Sequence, residues 1–175
     1  MSSWVIDTAH SEVGFRVRHL MVSWTKGRFE SYSGTLELDE QDLSKSKLEV
    51  RIDAKSVNTG TADRDNHLRS ADFFEVEKFP ELVFTSKQFQ PGSASAFKVQ
   101  GELSIRGVSR EVILDVEDFA PEHKDPWGNV KRGARAHTTI NRKDFGLNWN
   151  AAIEAGGVVV GEKVEITIEV ELTKK

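Results

Sequence analysis

The sequence predicts an all-β fold: a closed antiparallel barrel of eight strands with one or two short helices. Three observations carry this reading. Apolar and polar residues alternate with a period of two over long stretches, which marks strands with one face buried and one wetted. Such one-sided alternation belongs to antiparallel sheets, not to parallel sheets covered on both faces. The segments also recur at near-even spacing between turn signals, as in a barrel or sandwich. Several reach ten residues or more, and closure into a barrel removes the long exposed edges they would otherwise present.

The segments fall near residues 4–8, 12–19, 27–38, 46–53, 82–90, 96–106, 110–118 and 132–140, with a long strand at 162–173 as a ninth. Val13, Phe15 and Val17 alternate with Gly14, Arg16 and Arg18, and His19 continues the inward phase. Leu48, Val50 and Ile52 alternate with Glu49, Arg51 and Asp53. Phe97, Val99, Gly101, Leu103 and Ile105 form a longer set, and Val164, Ile166, Ile168, Val170 and Leu172 the clearest one. Between Phe29 and Leu36 the apolar phase shifts, which predicts a bulge near Tyr32 to Gly34 within strand 27–38. Turn signals stand at Ala9-His10, Pro91-Gly92, 107–109, 125–129 and 155–157.

Two interruptions read as helical. Thr59 or Thr61 caps a segment running to about Ser70, with Asp63 placed for the helix dipole and Arg64, His67 and Leu68 on one face. A shorter turn follows Asn141 and ends near Gly146. No repeat, linker or low-complexity stretch divides the chain, so residues 1–175 read as one domain.

Composition narrows the function classes. The net charge is −4, with 24 basic and 28 acidic residues interspersed, and no basic block suits nucleic acid. The absence of cysteine excludes disulfides and thiolate chemistry. No apolar stretch approaches the ~18 residues of a membrane span. Met1 to Thr8 shows neither a cationic n-region nor an apolar h-region, so the chain as given is expected in the cytoplasm.

Catalytic and metal signals are weak. Asp63 to His67 offers oxygen and nitrogen ligands, but in no zinc or calcium spacing and with an intervening arginine; no metal is expected. Gly156, Gly157 and Gly161 precede a strand, so they are turn glycines and not a phosphate cradle. His10, His123 and His137 read as solvated, while His19 points inward. Serines lack a GxSxG context, and no carboxylate pair stands out. The reading is therefore non-enzymatic; the alternative is an enzyme acting on an apolar substrate inside the barrel, with His19 or His67 as acid or base. Eight strands leave a lumen that is either packed or able to hold one small ligand. Ten phenylalanines and four tryptophans favour packing, whereas Gly101, Ala136 and Thr138 favour space.

Residues 10–20 (HSEVGFRVRHL) with Lys26-Gly27-Arg28-Phe29 resemble the opening of the YceI-like proteins. Residues 64–74 (RDNHLRSADFF), then Lys78-Phe79-Pro80 and Phe84, are similar to their middle block. Residues 125–129 (DPWGN), 141–150 (NRKDFGLNWN) and Gly156-Gly157 resemble their C-terminal signature. The resemblance runs in order along essentially the whole chain. It implies a lipocalin-like barrel with an elongated apolar channel, a homodimer, and a bound polyisoprenoid, either a prenyl pyrophosphate or an isoprenoid quinone, with no other cofactor. The channel wall is then assigned to Val13, Phe15, Val17, His19, Phe29, Leu48, Val50, Ile52, Phe73, Phe84, Val99, Leu103, Ile140, Trp149, Ile166 and Ile168. Arg64, His67 and Arg142 are the head-group candidates, as cations at the mouth. Burying ten CH₂-sized groups of such a chain supplies about 8 kcal/mol gross.

Overall fold

A computed structural model describes residues 1–151 and 159–175. The turn expected at 155–157 lies outside them. The strands are β1 (Ser2–Ile6), β2 (Glu12–His19), β3 (Ser23–Phe29), β4 (Tyr32–Leu38), β5 (Lys47–Asp53), β6 (Val57–Asn58), β7 (Glu81–Gln90), β8 (Phe97–Ile105), β9 (Val108–Glu117), β10 (His123–Lys124), β11 (Val130–Asn141) and β12 (Val160–Lys174), with one α-helix, α1 (Ala62–Arg69). Every strand pairing is antiparallel.

β12 closes the ring. Along one edge it carries β11, from Asn141↔Lys163 to Lys131↔Thr173. Along the other it carries first β2, between Val160 and Glu169, and then β1, between Leu172 and Lys174. β1 and β2 are therefore two segments of one barrel strand. β4 and β3 follow as the next strand, and β5 and β6 as the third. Continuing through β7, β8, β9 and β11 gives eight barrel strands in chain order, an up-and-down meander. The segment expected as a ninth strand is thus the eighth.

The first three barrel strands are each broken once. A 3₁₀ turn over Thr8–His10 follows Asp7, whose carboxylate accepts from the Ala9 amide at 3.1 Å. A second 3₁₀ turn, Ala54–Ser56, separates β5 from β6. The remaining break corrects the expected strand 27–38: the strand begins at Ser23 and is interrupted at Glu30-Ser31, ahead of the bulge anticipated at Tyr32 to Gly34. Its cause is local. The Ser31 amide donates to Ser56 Oγ (3.0 Å) and the Glu30 amide to the Ser56 carbonyl (3.1 Å), tying two breaks together.

One end of the barrel is solid. Trp4, Leu38, Phe89 and Val99 fill it and are at most 2% exposed. The Arg132 guanidinium covers this end, 4.3 Å from the Phe119 ring centre, and donates to the Ala120 carbonyl at 2.8 Å. Val99 belongs to this plug, which corrects its assignment to the channel wall. Leu48 likewise packs on the core without reaching the open space. Among the described residues every buried side-chain nitrogen and oxygen has a partner.

Candidate ligand-binding site

The other end is hollow. A cavity of about 300 Å³ runs between the upper halves of the strands, at the lower end of the range usual for ligand pockets. β2 contributes Val13, Phe15 and Val17, and β12 contributes Val164, Ile166 and Ile168 across the ladder. Val50, Ile52, Phe84, Leu103 and Ile140 supply the facing wall. All of these point inward because each strand exposes every second residue to the lumen. Apart from Val99 and Leu48, every residue assigned to the channel wall lines this cavity, including Phe29, Phe73, Trp149 and His19.

Two glycines shape the wall. A Cβ on Gly27 would meet the Phe15 ring at 2.4 Å, so that ring lies into the wall and packs against Phe29, ring centres 5.7 Å apart. Gly101 does the same for Phe84. The space expected at Gly101 is therefore taken by an aromatic ring, while Thr138 does border the cavity.

α1 and the segment after it roof the open end. Among the described residues β6 has no strand beyond it, and Arg69 instead binds this edge and the turn before it, donating to the carbonyls of Val57 (3.2 Å) and Lys55 (2.8 Å). Thr61 is the N-cap but makes no side-chain cap bond. The buried Asp65 carboxylate accepts from the Thr59 amide (2.8 Å) and hydroxyl (2.5 Å) instead. Arg64 then donates to Thr59 Oγ1 and to the Thr59 carbonyl, both at 2.7 Å, which holds its guanidinium at the mouth. His67 sits beside it, edge-on to Phe73 and Trp149 (ring centres 5.1 and 4.6 Å), with Nε2 2.8 Å from Asp72. Cavity walls are thus apolar and the polar groups gather at the rim.

Arg142 is placed differently from the open cation expected of it. Only 3% exposed, it donates to the carbonyls of Leu147 (2.6 Å), Gly161 (2.7 Å), Trp149 (2.8 Å) and Val160 (3.3 Å). Burial lowers its pKa and the Glu162 charge raises it again, yet a guanidinium stays protonated at neutral pH. It borders the cavity, but its donors clamp the backbone on both sides of the β11–β12 connection. The 3₁₀ turn Arg142–Phe145, ended by Gly146 at φ 77°, aims it there.

Sequence reasoning missed Ile105, Leu82, Val164 and Leu114 as lining residues, although alternation from Leu103, Phe84 and Ile166 reaches the first three; Leu114 lies on β9. Asp65 gave no signal, because its partners are a backbone amide and a hydroxyl. His10 and His123 are exposed, and His137 is half exposed with Nε2 2.5 Å from Glu117. Among the described residues the histidine–carboxylate group compact enough for a metal is Asp7, His10 and Glu171. The Lys131 ammonium already lies 2.8 Å from Asp7 and 3.3 Å from Glu171, supplying the cation that cluster needs.

An eight-stranded meander barrel, plugged at one end and enclosing an apolar cavity with a polar rim at the other, is a barrel of the lipocalin-like class. The chain belongs to the YceI-like domain family, whose profile matches residues 4–172. It is 38% identical over 174 residues to a UPF0312 protein of Staphylococcus aureus strain MSSA476, covering 99% of this chain and 98% of that one. The crystal structure of a Campylobacter jejuni YCEI protein is 35% identical, with a TM-score of 0.77 over 97% of this chain and 96% of that one. The fold is also that of a polyisoprenoid binding domain from Saccharophagus degradans implicated in plant cell wall breakdown, at 18% identity, TM-score 0.69 and full coverage of both chains. No helix among the described residues is long and apolar enough to cross a membrane.

Proposed function

We propose that the protein binds a polyisoprenoid lipid, holding its stem in the barrel for transport, storage or presentation, and leaves it chemically unchanged. The observation that carries this is the cavity itself: about 300 Å³, walled chiefly by aliphatic and aromatic side chains, with the charged groups confined to one rim. An apolar stem gains from burial whatever its head group, so the cavity selects by length and girth. The polyisoprenoid-binding domain of shared fold supports the ligand class. A prenyl pyrophosphate or quinone head then lies at the mouth beside Arg64 and His67, with the Arg142 charge behind them. Native mass spectrometry with organic extraction tests the reading: a co-purifying isoprenoid is expected. A barrel that is empty and also ignores added quinones and prenyl phosphates overturns it.

Binding without conversion is part of the proposal. His67 engages Asp72 and two aromatic rings, and His19 is exposed at the rim. Recovery of bound lipid unaltered after long incubation at several pH values is the expected result; a modified product would favour catalysis by one of these histidines. A homodimer and a cytoplasmic site of action belong to the same proposal, and sedimentation and cell fractionation test them.

A further inference from the structure

We infer that the β2–β3 hairpin docks the mouth of the barrel onto the surface of a bilayer containing anionic lipids. The hairpin tip is Leu20-Met21-Val22, exposed by 37%, 56% and 78%. Leu20 and Met21 hold φ of 52° and 62°, the left-handed turn that glycine and asparagine adopt at little cost. Two large apolar residues thus occupy a strained turn and face water, a combination that folding alone does not favour.

What flanks the tip matches a membrane surface. Residues 13–29 contain Arg16, Arg18, Lys26 and Arg28 and no carboxylate, so the rest of a chain of net charge −4 carries −8. Arg16 and Arg18 both stack on Trp24, each 4.2 Å from its ring centre, on the outer face just below the tip. Among the described residues Arg18 and Lys26 have no ion-pair partner, whereas Arg16 pairs with Glu165 and Arg28 with Glu30. An apolar tip backed by tryptophan and cations is the arrangement that seats in the headgroup layer, the tip in the acyl boundary and the cations at phosphates. A second copy of the chain is a poorer occupant, because three residues are far short of the ~1,200 Å² that stable protein interfaces bury.

Position gives the docking its use. His19 and Val159 line the cavity, and the Leu20 amide donates to the Val159 carbonyl at 2.8 Å, so the tip is continuous with the mouth. A lipid then passes between bilayer and cavity without crossing bulk water; this use, though not the docking, rests on the lipid-binding reading.

Flotation with phosphatidylcholine vesicles, with and without phosphatidylglycerol, tests the inference. The whole protein is expected to float with the anionic vesicles, less so at high salt. The triple variant Leu20→Asn, Met21→Gly, Val22→Ser relieves the turn while removing the apolar tip. It is expected to melt no lower than the parent yet bind vesicles about tenfold more weakly, and Lys26→Gln severalfold more weakly. Failure of the parent to float, or equal flotation of the triple variant, overturns docking. So does a triple variant that floats normally but loses self-association, which would make the tip an interface between copies. Mass spectrometry of quinone-loaded protein, run in parallel, reports the lipid-binding reading separately: flotation by a barrel that takes up no lipid overturns that reading and leaves docking standing.

Discussion

The ring of Phe84 lies in the space that a side chain on Gly101 would occupy, its tip carbon 2.5 Å from where a Cβ would stand. The two residues are on neighbouring strands, and the Thr85 carbonyl is equally close, so neither ring nor backbone has an easy retreat. Gly101→Ala is expected to cost about 1–3 kcal/mol in urea unfolding, as overpacking does. It should also push the ring into the lumen and weaken lipid uptake.

Arg142 and the four carbonyls it clamps yield a sharper test. A lysine keeps the charge but offers one ammonium in place of a planar fork. Arg142→Lys should therefore lose most of what Arg142→Met loses, about 2–4 kcal/mol by urea unfolding, since several buried carbonyls lose their donor in both. Near-complete rescue by lysine would show that charge, not the carbonyl geometry, is what the site requires.

The sequence showed some of this clearly and some not at all. β8 is buried on one face over its whole length, and β12 turns Val164, Ile166 and Ile168 to the lumen, so alternation reports both strands directly. β3 was half missed because its inward positions near the mouth are Ser23, Thr25 and Gly27, while Trp24 faces outward; the hydrophobic pattern there runs inside out. The hollow end was legible through Phe15, Val17 and Ile166. The plugged end was not separable from it, because Val99 alternates in the same way as Leu103 and only the barrel's depth distinguishes them. Arg142 read as an open cation because bonds to backbone carbonyls leave no trace in residue identity.

Asp7 gives the barrel an acid-sensitive seam. Lys131 and then His10 hydrogen-bond its carboxylate and hold its pKa at about 2, below the ordinary 3.8. The unfolded chain binds that proton more readily, so the stabilisation is complete above pH ~4 and fades as pH falls from there through 2. With its side chain 20% exposed, the discounted contribution is roughly 1–2 kcal/mol. Asp7→Asn should lose that amount at neutral pH and flatten the stability–pH curve between pH 4 and 2; an unchanged acid limb would assign the sensitivity elsewhere.

The cavity must be blocked in two chemically different ways if uptake is to be attributed to it. Phe15→Arg places a charge where the wall is apolar, and a folded product is expected to take up no isoprenoid. A buried charge can also unfold the barrel, so a neutral substitution is needed beside it. Thr138 borders the cavity on β11, opposite Ile166 of β12. Thr138→Leu adds bulk and removes a hydroxyl without introducing charge; the fold should persist, and quinone affinity measured by native mass spectrometry should fall about tenfold, as the added bulk displaces one or two CH₂-sized groups' worth of burial. If both variants fold and load normally, the ligand does not occupy this lumen.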